Sequence, residues 1–265
     1  MSAMRGKQKK LGQCFLVDES VTHRIVTEAS VGSGAKILEI GPGKGILTRA
    51  LLDAGFTVHA IELDRLLYDY LKKEFAGDDR LTLERCNALK FDYRSITAPY
   101  HVISNLPYSV SVPIINKLLE NLDVVASMTL MTQAEVAKRL TAQPGDSLYG
   151  SLSVHTAYYC KTELLFNVPP DVFRPKPKVE SSVIRLTPLK NPPIETDSAD
   201  EFFRFVKSSF LHRRKTLKNN ISQMWHSVEA FYSACELAGI APTIRPEEIS
   251  IQEFGALFSD LVRKN

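Results

Sequence analysis

KILEIGPGKGILTRALLDAGFTVHAIE, residues 36–62, contains two short apolar runs separated by a glycine-rich turn and an amphipathic segment. Lys36–Ile40 and Thr57–Ile61 are rich in aliphatic and β-branched residues, which is typical of buried strands. The intervening Ile46–Ala54 has helical periodicity. A strand, a helix and a second strand in this order predict a βαβ unit with parallel strands.

The same alternation continues along the chain. A second helix is predicted at Leu66–Phe75, and further strands are predicted at Leu81–Glu84, His101–Ser104, Ser127–Met131, Glu163–Val168 and Ser182–Leu186. The proline-rich connection between the last two strands is too short for a crossover helix, so these two strands are predicted to pair antiparallel. The fold class is therefore α/β, a Rossmann-like mainly parallel sheet with helices on both faces.

The character of the chain changes after Thr187. PLKNPPIETDSAD, residues 188–200, is rich in proline and polar residues and is a plausible linker. Beyond it, apolar residues recur at helical spacing from Phe203 to Ile221, and more helix is predicted at Phe231–Leu237 and Ile251–Val262. We expect an α/β domain over residues 1–188 and a small helical domain over residues 189–265.

Composition narrows the class of protein. With 44% hydrophobic and 24% charged residues, the chain is typical of globular proteins, and no apolar run approaches the roughly 20 residues of a membrane span. The N-terminus lacks the apolar stretch of a secretory signal. Cys14, Cys86, Cys160 and Cys235 are scattered without metal-ligand spacing. We therefore expect a cytoplasmic protein with reduced cysteines, no metal and no membrane partner.

Positive charge is concentrated in three segments. The net charge is only +3, but residues 1–17 carry +4, residues 172–190 carry +4 and residues 204–218 carry +6, so the remainder carries −11. Any one basic segment is more often a solvated face than a binding site. Three on a net-acidic remainder favour binding of a polyanion. The candidate contacts are Lys9, Lys10, Arg174, Lys176, Lys178, Arg213, Arg214, Lys215 and Lys218.

A cofactor site is predicted where the strands end. GPGKG contains Gly41, Gly43 and Gly45 in GxGxG spacing, unlike the GxGxxG of a pyrophosphate site, and its proline removes a backbone donor. Glu62 ends the second strand, where an acid can accept hydrogen bonds from both ribose hydroxyls, although a solvated acid at a helix start is the alternative. Asn87 follows the third strand. An adenosyl cofactor without pyrophosphate indicates S-adenosylmethionine.

The tetrapeptide NLPY, Asn105 to Tyr108, follows the fourth strand. The exocyclic amine of adenine is a poor nucleophile because its lone pair is delocalised into the ring. The Asn105 side-chain oxygen and a backbone carbonyl beside it can accept both amine hydrogens and favour a more tetrahedral nitrogen. Pro107 stiffens the turn, and Tyr108 offers a face on which a base can stack. The alternative is a strand end with a turn proline and a core tyrosine.

Several longer motifs carry a family resemblance. They are KKLGQCFL (9–16), LEIGPGKGILT (38–48), NLPY (105–108), YGSLSV (149–154), VPPDVFRPKPKVESSVIRL (168–186) and HRRKTLKNNI (212–221). Together they resemble the ribosomal RNA adenine dimethyltransferases in order and over nearly the whole chain. The HRRKTLKNN segment is closest to the bacterial small-subunit (kasugamycin-resistance) subgroup.

The resemblance implies transfer of methyl groups from S-adenosylmethionine to two adjacent adenosines near the 3′ end of small-subunit (16S) rRNA during ribosome assembly. The partner is then the small ribosomal subunit, residues 189–265 are an RNA-recognition domain, and a monomer is expected. The implied catalytic residues are Asn105, Leu106, Pro107, Tyr108 and Phe173, with Phe173 stacking the target adenine opposite Tyr108. The alternative for Phe173 is a core aromatic that caps the sheet edge. The implied cofactor contacts are Gln13, Cys14, Leu16, Gly41, Gly43, Glu62, Asn87, Ala88 and Asn105.

Two positions depart from the family pattern. Cys14 replaces the usual Asn or His, so a cofactor contact there is expected through the backbone. Asn87 replaces the usual Asp; its amide oxygen can still accept from the adenine amine, without charge-assisted strength, so weaker binding of the cofactor is expected at most. Two alternatives stay open: an erythromycin-resistance-type enzyme acting on large-subunit (23S) rRNA, and a factor that chiefly binds assembling ribosomes. A DNA adenine methyltransferase is disfavoured because no separate sequence-reading domain is apparent.

Overall fold

The computed structural model describes residues 14–222 and 228–262. The strands are β1 (Phe15–Leu16), β2 (Lys36–Ile40), β3 (Thr57–Glu62), β4 (Leu81–Arg85), β5 (Tyr100–Asn105), β6 (Val125–Gln133), β7 (Cys160–Val168), β8 (Phe173–Arg174) and β9 (Ser181–Pro188). The α-helices are α1 (Glu19–Ala29), α2 (Ile46–Asp53), α3 (Arg65–Glu74), α4 (Ser111–Leu119), α5 (Ala134–Thr141), α6 (Ser151–Tyr159), α7 (Ala199–Ser209), α8 (Leu217–Asn220), α9 (Val228–Ala238) and α10 (Ile251–Val262).

A seven-stranded sheet in the order β4-β3-β2-β5-β6-β9-β7 organises the fold. The first five of these strands are parallel to one another, and β9 runs antiparallel to both of its neighbours. The predicted mainly parallel α/β sheet and the predicted antiparallel pairing of the last two strands are confirmed. The insertion of β9 between β6 and β7 was not predicted.

Helices cover both faces of this sheet. Along β2, Ile37 joins one hydrophobic cluster and its neighbour Leu38 joins another, because successive side chains of a strand point to opposite faces. Both side chains are buried, and burying one aliphatic side chain of this size contributes about 1.5–3 kcal/mol. The continuous apolar character of KILEI therefore reflects a central strand covered on both sides.

The C-terminal helices pack around a third cluster, which contains Phe202 and Phe205 of α7 and Phe254 of α10. Tyr149 and Tyr158 belong to the same cluster although they precede residue 189, so α6 shares a core with these helices. The proposed division of the chain at residue 188 stays a prediction. No helix in the described ranges is both long enough and apolar enough to cross a membrane.

The helical periodicity from Phe203 to Ile221 is interrupted in the structure. Helix α7 ends at Ser209, and α8 begins only at Leu217. The central part of the basic segment, with Arg213, Arg214 and Lys215, therefore forms a loop between two helices. The buried Asn220 holds this loop, since its Oδ1 accepts from the His212 backbone N–H at 2.9 Å and its Nδ2 donates to the His212 carbonyl at 3.2 Å.

Candidate active site

A crevice forms where the strand order reverses, between the carboxyl ends of β2 and β5. The ladder pairs of these strands end at Leu38 and Val102. Beyond that point the Ser104 hydroxyl donates to the Ile40 carbonyl at 2.6 Å and accepts from the Ile40 N–H at 3.1 Å. A side chain thus replaces backbone pairing at the point where open α/β sheets bind ligands. Sequence analysis missed Ser104, although a serine inside an apolar strand was a usable signal.

The glycine-rich turn between β2 and α2 contacts the NLPY turn directly. Gly41 has a φ of +70°, and a Cβ on it would lie 3.3 Å from Cγ of Pro107. Gly43 has a φ of +60°, and a Cβ there would lie 3.3 Å from the ring of Phe15. The left-handed backbone and the close approach both favour glycine. Strand β1, which carries Phe15, therefore covers the turn predicted to hold the cofactor.

Glu62 lies at the carboxyl end of β3 with only 5% of its surface exposed. One carboxylate oxygen accepts from the Gly43 N–H at 3.2 Å and the other accepts from the Asp64 N–H at 2.8 Å. Burial raises the pKa of Glu62, and these backbone donors oppose the rise. The carboxylate is thus fixed beside the glycine turn as an acceptor.

Glu39, on β2 just before the glycines, is more deeply buried, with 1% of its surface exposed. Its Oε2 accepts from the Thr48 hydroxyl of α2 at 2.6 Å. Burial raises the pKa of Glu39 to about 8, the Thr48 donor lowers it, and the charge of Glu62 raises it. No site role was assigned to this residue from the sequence. The structure shows that it joins β2 to α2 behind the turn.

The turn after β4 carries Asn87 and Ala88, both partly exposed. Asn87 Oδ1 accepts from the Leu89 N–H at 2.9 Å. The Tyr93 hydroxyl donates to the Ala88 carbonyl at 3.0 Å, and the Tyr100 hydroxyl donates to the Tyr93 carbonyl at 2.8 Å. A chain of two hydrogen bonds from buried tyrosines therefore holds this turn in place. Local sequence patterns did not indicate these contacts.

The NLPY turn presents two hydrogen-bond acceptors. The Leu106 N–H donates to the Met131 carbonyl at 3.0 Å, which anchors the turn to β6. Within residues 14–222 and 228–262, neither the Asn105 side-chain oxygen nor the Leu106 carbonyl oxygen accepts a hydrogen bond. The Tyr108 hydroxyl bonds the hydroxyl of Ser181, and burial raises the pKa of Tyr108. Sequence analysis missed Ser181, which restrains the phenol.

The segment before α1 approaches the same site. Cys14 is partly buried and close enough to Tyr108 to raise the pKa of that phenol. Leu16 is buried and pairs with Phe173 in the short β1–β8 ladder. Gln13 lies outside the described residues.

Phe173 does not offer a stacking face in this conformation. Its side chain is 0% exposed and belongs to the hydrophobic cluster that includes Leu16 and Met131. The implied stacking of the target adenine on Phe173 opposite Tyr108 stays a prediction. In this conformation, in which β8 pairs with β1, the ring packs in the cluster and is not accessible to a base.

The predicted RNA-binding cations differ in how they are engaged. Lys176 pairs with Asp171 at 2.5 Å, and Arg174 donates to the carbonyls of Asp171 and Phe173. Arg213 donates to the Ser147 carbonyl, and Lys218 donates to the Tyr232 hydroxyl at 3.0 Å. The side chains of the remaining three, Lys178, Arg214 and Lys215, are exposed and form no ion pair or hydrogen bond within the ranges described. Lys9 and Lys10 lie outside those ranges.

Comparisons with known proteins identify the family of this chain. The family model described as "Ribosomal RNA adenine dimethylase" matches residues 4–261. The chain is 41% identical to "Ribosomal RNA small subunit methyltransferase A" of Pseudomonas aeruginosa, covering 96% of this chain and 94% of the relative. It is 43% identical to the protein of the same name from Clostridium botulinum, covering 94% of this chain and 92% of the relative.

Solved structures show the same fold. A dimethyladenosine transferase from Plasmodium falciparum has a TM-score of 0.76 and 25% identity, covering 94% of this chain and 98% of that one. The 23S rRNA methyltransferase ErmE also has a TM-score of 0.76, with 24% identity, covering 93% of this chain and 99% of that one. With the family model spanning the sheet, the crevice and the C-terminal helices, the chain belongs to the ribosomal RNA adenine dimethylase family.

Proposed function

We propose that this protein transfers methyl groups from S-adenosylmethionine to the exocyclic amines of two adjacent adenosines near the 3′ end of small-subunit rRNA, giving dimethyladenosines during ribosome assembly. Relatives at 41% and 43% identity are named small-subunit methyltransferases, which supports the small subunit over the large one. The likeness to ErmE, at 24% identity, supports only the shared fold. The proposal includes a cytoplasmic location, where small subunits assemble; the expected monomer stays a prediction.

The residues at the sheet edge suit an adenosyl group. Glu62 supplies a buried carboxylate whose two oxygens are already oriented by backbone donors, and each keeps capacity to accept from a ribose hydroxyl. The backbone at Gly41 can approach a ligand closely because no Cβ stands in the way. When bound, S-adenosylmethionine supplies an electrophilic methyl group on a sulfonium. Glu62, Gly41, Gly43, Asn87, Ala88 and Asn105 would hold it.

The observation that carries the proposal is the pair of free acceptors at the NLPY turn. In the first transfer, Asn105 Oδ1 and the Leu106 carbonyl oxygen each accept one hydrogen of the target amine; in the second, the monomethylated amine keeps one hydrogen for one of these acceptors. The amine nitrogen then becomes more tetrahedral, and its lone pair is directed at the methyl group. As the new N–C bond forms, the bond between the methyl group and the sulfonium sulfur would break and leave S-adenosylhomocysteine. Because the amine gains positive charge in this step, these two dipoles stabilise the transition state. The proton leaves to solvent after transfer, so no strong base is required.

The remaining residues place the base and the RNA. Tyr108, restrained through its hydroxyl by Ser181, offers its ring to the adenine. A base inside a duplex cannot reach this crevice, so the target nucleotide is unpaired or flipped. The free cations Arg214 and Lys215 project from a loop whose backbone Asn220 has already fixed, which favours contact with RNA phosphates.

Labelled methyl transfer tests the proposal. Purified protein is incubated with S-adenosylmethionine and either small or large ribosomal subunits that lack the modification, and the modified nucleosides are then mapped. We expect dimethyladenosine at two adjacent positions of small-subunit rRNA only. Asn105→Ala should lower the rate by 100-fold or more, a loss of roughly 3 kcal/mol of transition-state stabilisation. Because Asn105 is only one of the proposed cofactor contacts, binding of S-adenosylhomocysteine should weaken much less than the rate. Labelling confined to large subunits would overturn the assignment.

A further inference from the structure

The turn after β4 fixes which way round the Asn87 amide lies. The Leu89 backbone N–H can only donate, so the side-chain atom that faces it at 2.9 Å is the amide oxygen. The amide nitrogen of Asn87 therefore points away from this turn contact. Within the described parts of the chain, that nitrogen donates to no acceptor.

This turn lies beside the carboxylate that is proposed to hold the ribose. Glu62 pairs with Arg85 in the β3–β4 register, and the Cys86 N–H donates to the Glu62 carbonyl at 3.1 Å. Strand β4 is the outer neighbour of β3, on the side away from the NLPY turn. A nucleoside with its ribose at Glu62 and its reacting end toward Asn105 therefore directs its base toward residues 86–89.

At residues 87 and 88, the described groups that lack a hydrogen-bond partner are donors, because Asn87 Oδ1 and the carbonyls of Asn87 and Ala88 already accept hydrogen bonds. The Ala88 backbone N–H has no acceptor among the described residues, and the Asn87 Nδ2 adds a second donor. An aspartate at position 87 would keep one oxygen on Leu89 and present its other oxygen as a charged acceptor. Asparagine presents NH₂ at that place, and NH₂ cannot accept from the 6-amino group of adenine.

We propose that residue 87 determines nucleoside specificity, and that Asn87 forms no hydrogen bond with the 6-amino group of the cofactor. The inference rests on the proposed use of S-adenosylmethionine. The chain then recognises the purine ring through its acceptor nitrogens and its faces, and it tolerates a purine that lacks the 6-amino group. Asn87→Asp restores an acceptor and with it discrimination at position 6.

Isothermal titration calorimetry tests the role of residue 87 without any methyl transfer. The full chain is titrated with S-adenosylhomocysteine and with its 6-deamino analogue, which has purine in place of adenine. We expect the two dissociation constants of the wild type to agree within about threefold. In Asn87→Asp, a charge-assisted hydrogen bond should raise the ratio of the two constants by about tenfold or more, mainly through tighter binding of the amino compound.

Asn87→Ser is the matched control, because its hydroxyl can still accept from the Leu89 N–H but reaches no further, and its ratio should equal that of the wild type. A wild-type ratio of tenfold or more would overturn the inference, as would an unchanged ratio in a folded Asn87→Asp. If Asn87→Asp does not fold, the wild-type ratio decides alone. Failure of the wild type to bind S-adenosylhomocysteine would overturn the proposed cofactor and this inference together. Cofactor binding without methylation of small subunits would overturn only the proposed RNA substrate.

Discussion

Replacement of Glu39 by Gln should remove a pH dependence of stability. Glu39 is buried on β2, accepts from Thr48 at 2.6 Å, and has a pKa raised from 4.5 to about 8, chiefly by burial. Glutamine has nearly the same shape, keeps the acceptor oxygen for Thr48 and cannot ionise. The substitution therefore removes the titration and leaves the packing in place.

The sign and size of this pH dependence of the free energy of unfolding follow from proton linkage. Because the pKa in the folded state exceeds that in the unfolded chain, the folded state binds the Glu39 proton more tightly. The resulting stability is full below about pH 4.5 and is lost as the pH rises through 8. One pKa unit corresponds to about 1.4 kcal/mol. From pH 5.5 to pH 8, the free energy of unfolding should fall by about 3 kcal/mol more in the wild type than in Glu39→Gln.

Urea denaturation at pH 5.5, 7 and 8 measures this difference, because the other titrating groups are common to both proteins and cancel. Thr48→Val is the control, since it leaves an ionisable carboxyl. Because it deletes a donor that lowers the pKa of Glu39, it should show a pH dependence at least as large as that of the wild type. Parallel stability curves for the wild type and Glu39→Gln would refute the reasoning. They would mean that Glu39 is ionised in the folded protein at neutral pH.

Three further outcomes are expected. Gly41→Ala should lower the free energy of unfolding by about 1–2 kcal/mol and also weaken binding of S-adenosylhomocysteine, as measured by denaturant and ligand titrations. The control is Gly77→Ala, with φ +90° and open space around it, which should show only the conformational cost. Reversal of charge at Arg214 and Lys215 should weaken small-subunit binding and reduce its dependence on log[salt] by about two, while reversal at Lys72 and Lys73 of α3 leaves the salt slope unchanged. Ser181→Ala should lower the free energy of unfolding by about 1–3 kcal/mol, because it leaves the Tyr108 hydroxyl without its hydrogen-bond partner. The double variant Ser181→Ala, Tyr108→Phe should recover most of that loss.

Local patterns were sufficient to predict the sheet and the ends of its strands. The strand at Lys36–Ile40 is encoded by its own apolar run, and Gly41 by its own backbone conformation, so neither depends on distant residues. Parallel strands bring their carboxyl ends to one edge, which places Glu62, Asn87 and Asn105 near each other from strand order alone. The candidate site was predictable to this extent because its residues end consecutive elements.

Features that arise from pairing between distant segments were not predictable. Phe173 lies among basic residues in the sequence, and its burial depends on a cluster that includes Leu16, more than 150 positions earlier, and Met131 of β6. Arg213 and Arg214 are adjacent and chemically identical, yet the Ser147 carbonyl engages one and leaves the other free. A charge count cannot separate such residues, since it contains no information about which backbone carbonyls lie within reach.

The contact between Gly41 and Pro107 joins the turn that is proposed to hold the cofactor to the turn that is proposed to hold the target amine. The glycine turn follows β2 and the acceptor turn follows β5, and Ser104 joins these strands just before both turns begin. Neither turn can shift along its strand without breaking the Ser104 bridge or driving Pro107 into Gly41. The proposed acceptors for the amine, at Asn105 and Leu106, are therefore positioned relative to the proposed cofactor turn by the packed backbone of the two turns. Reaction geometry held in this way costs little entropy at the moment of transfer, which suits a reaction that uses dipoles instead of a strong base.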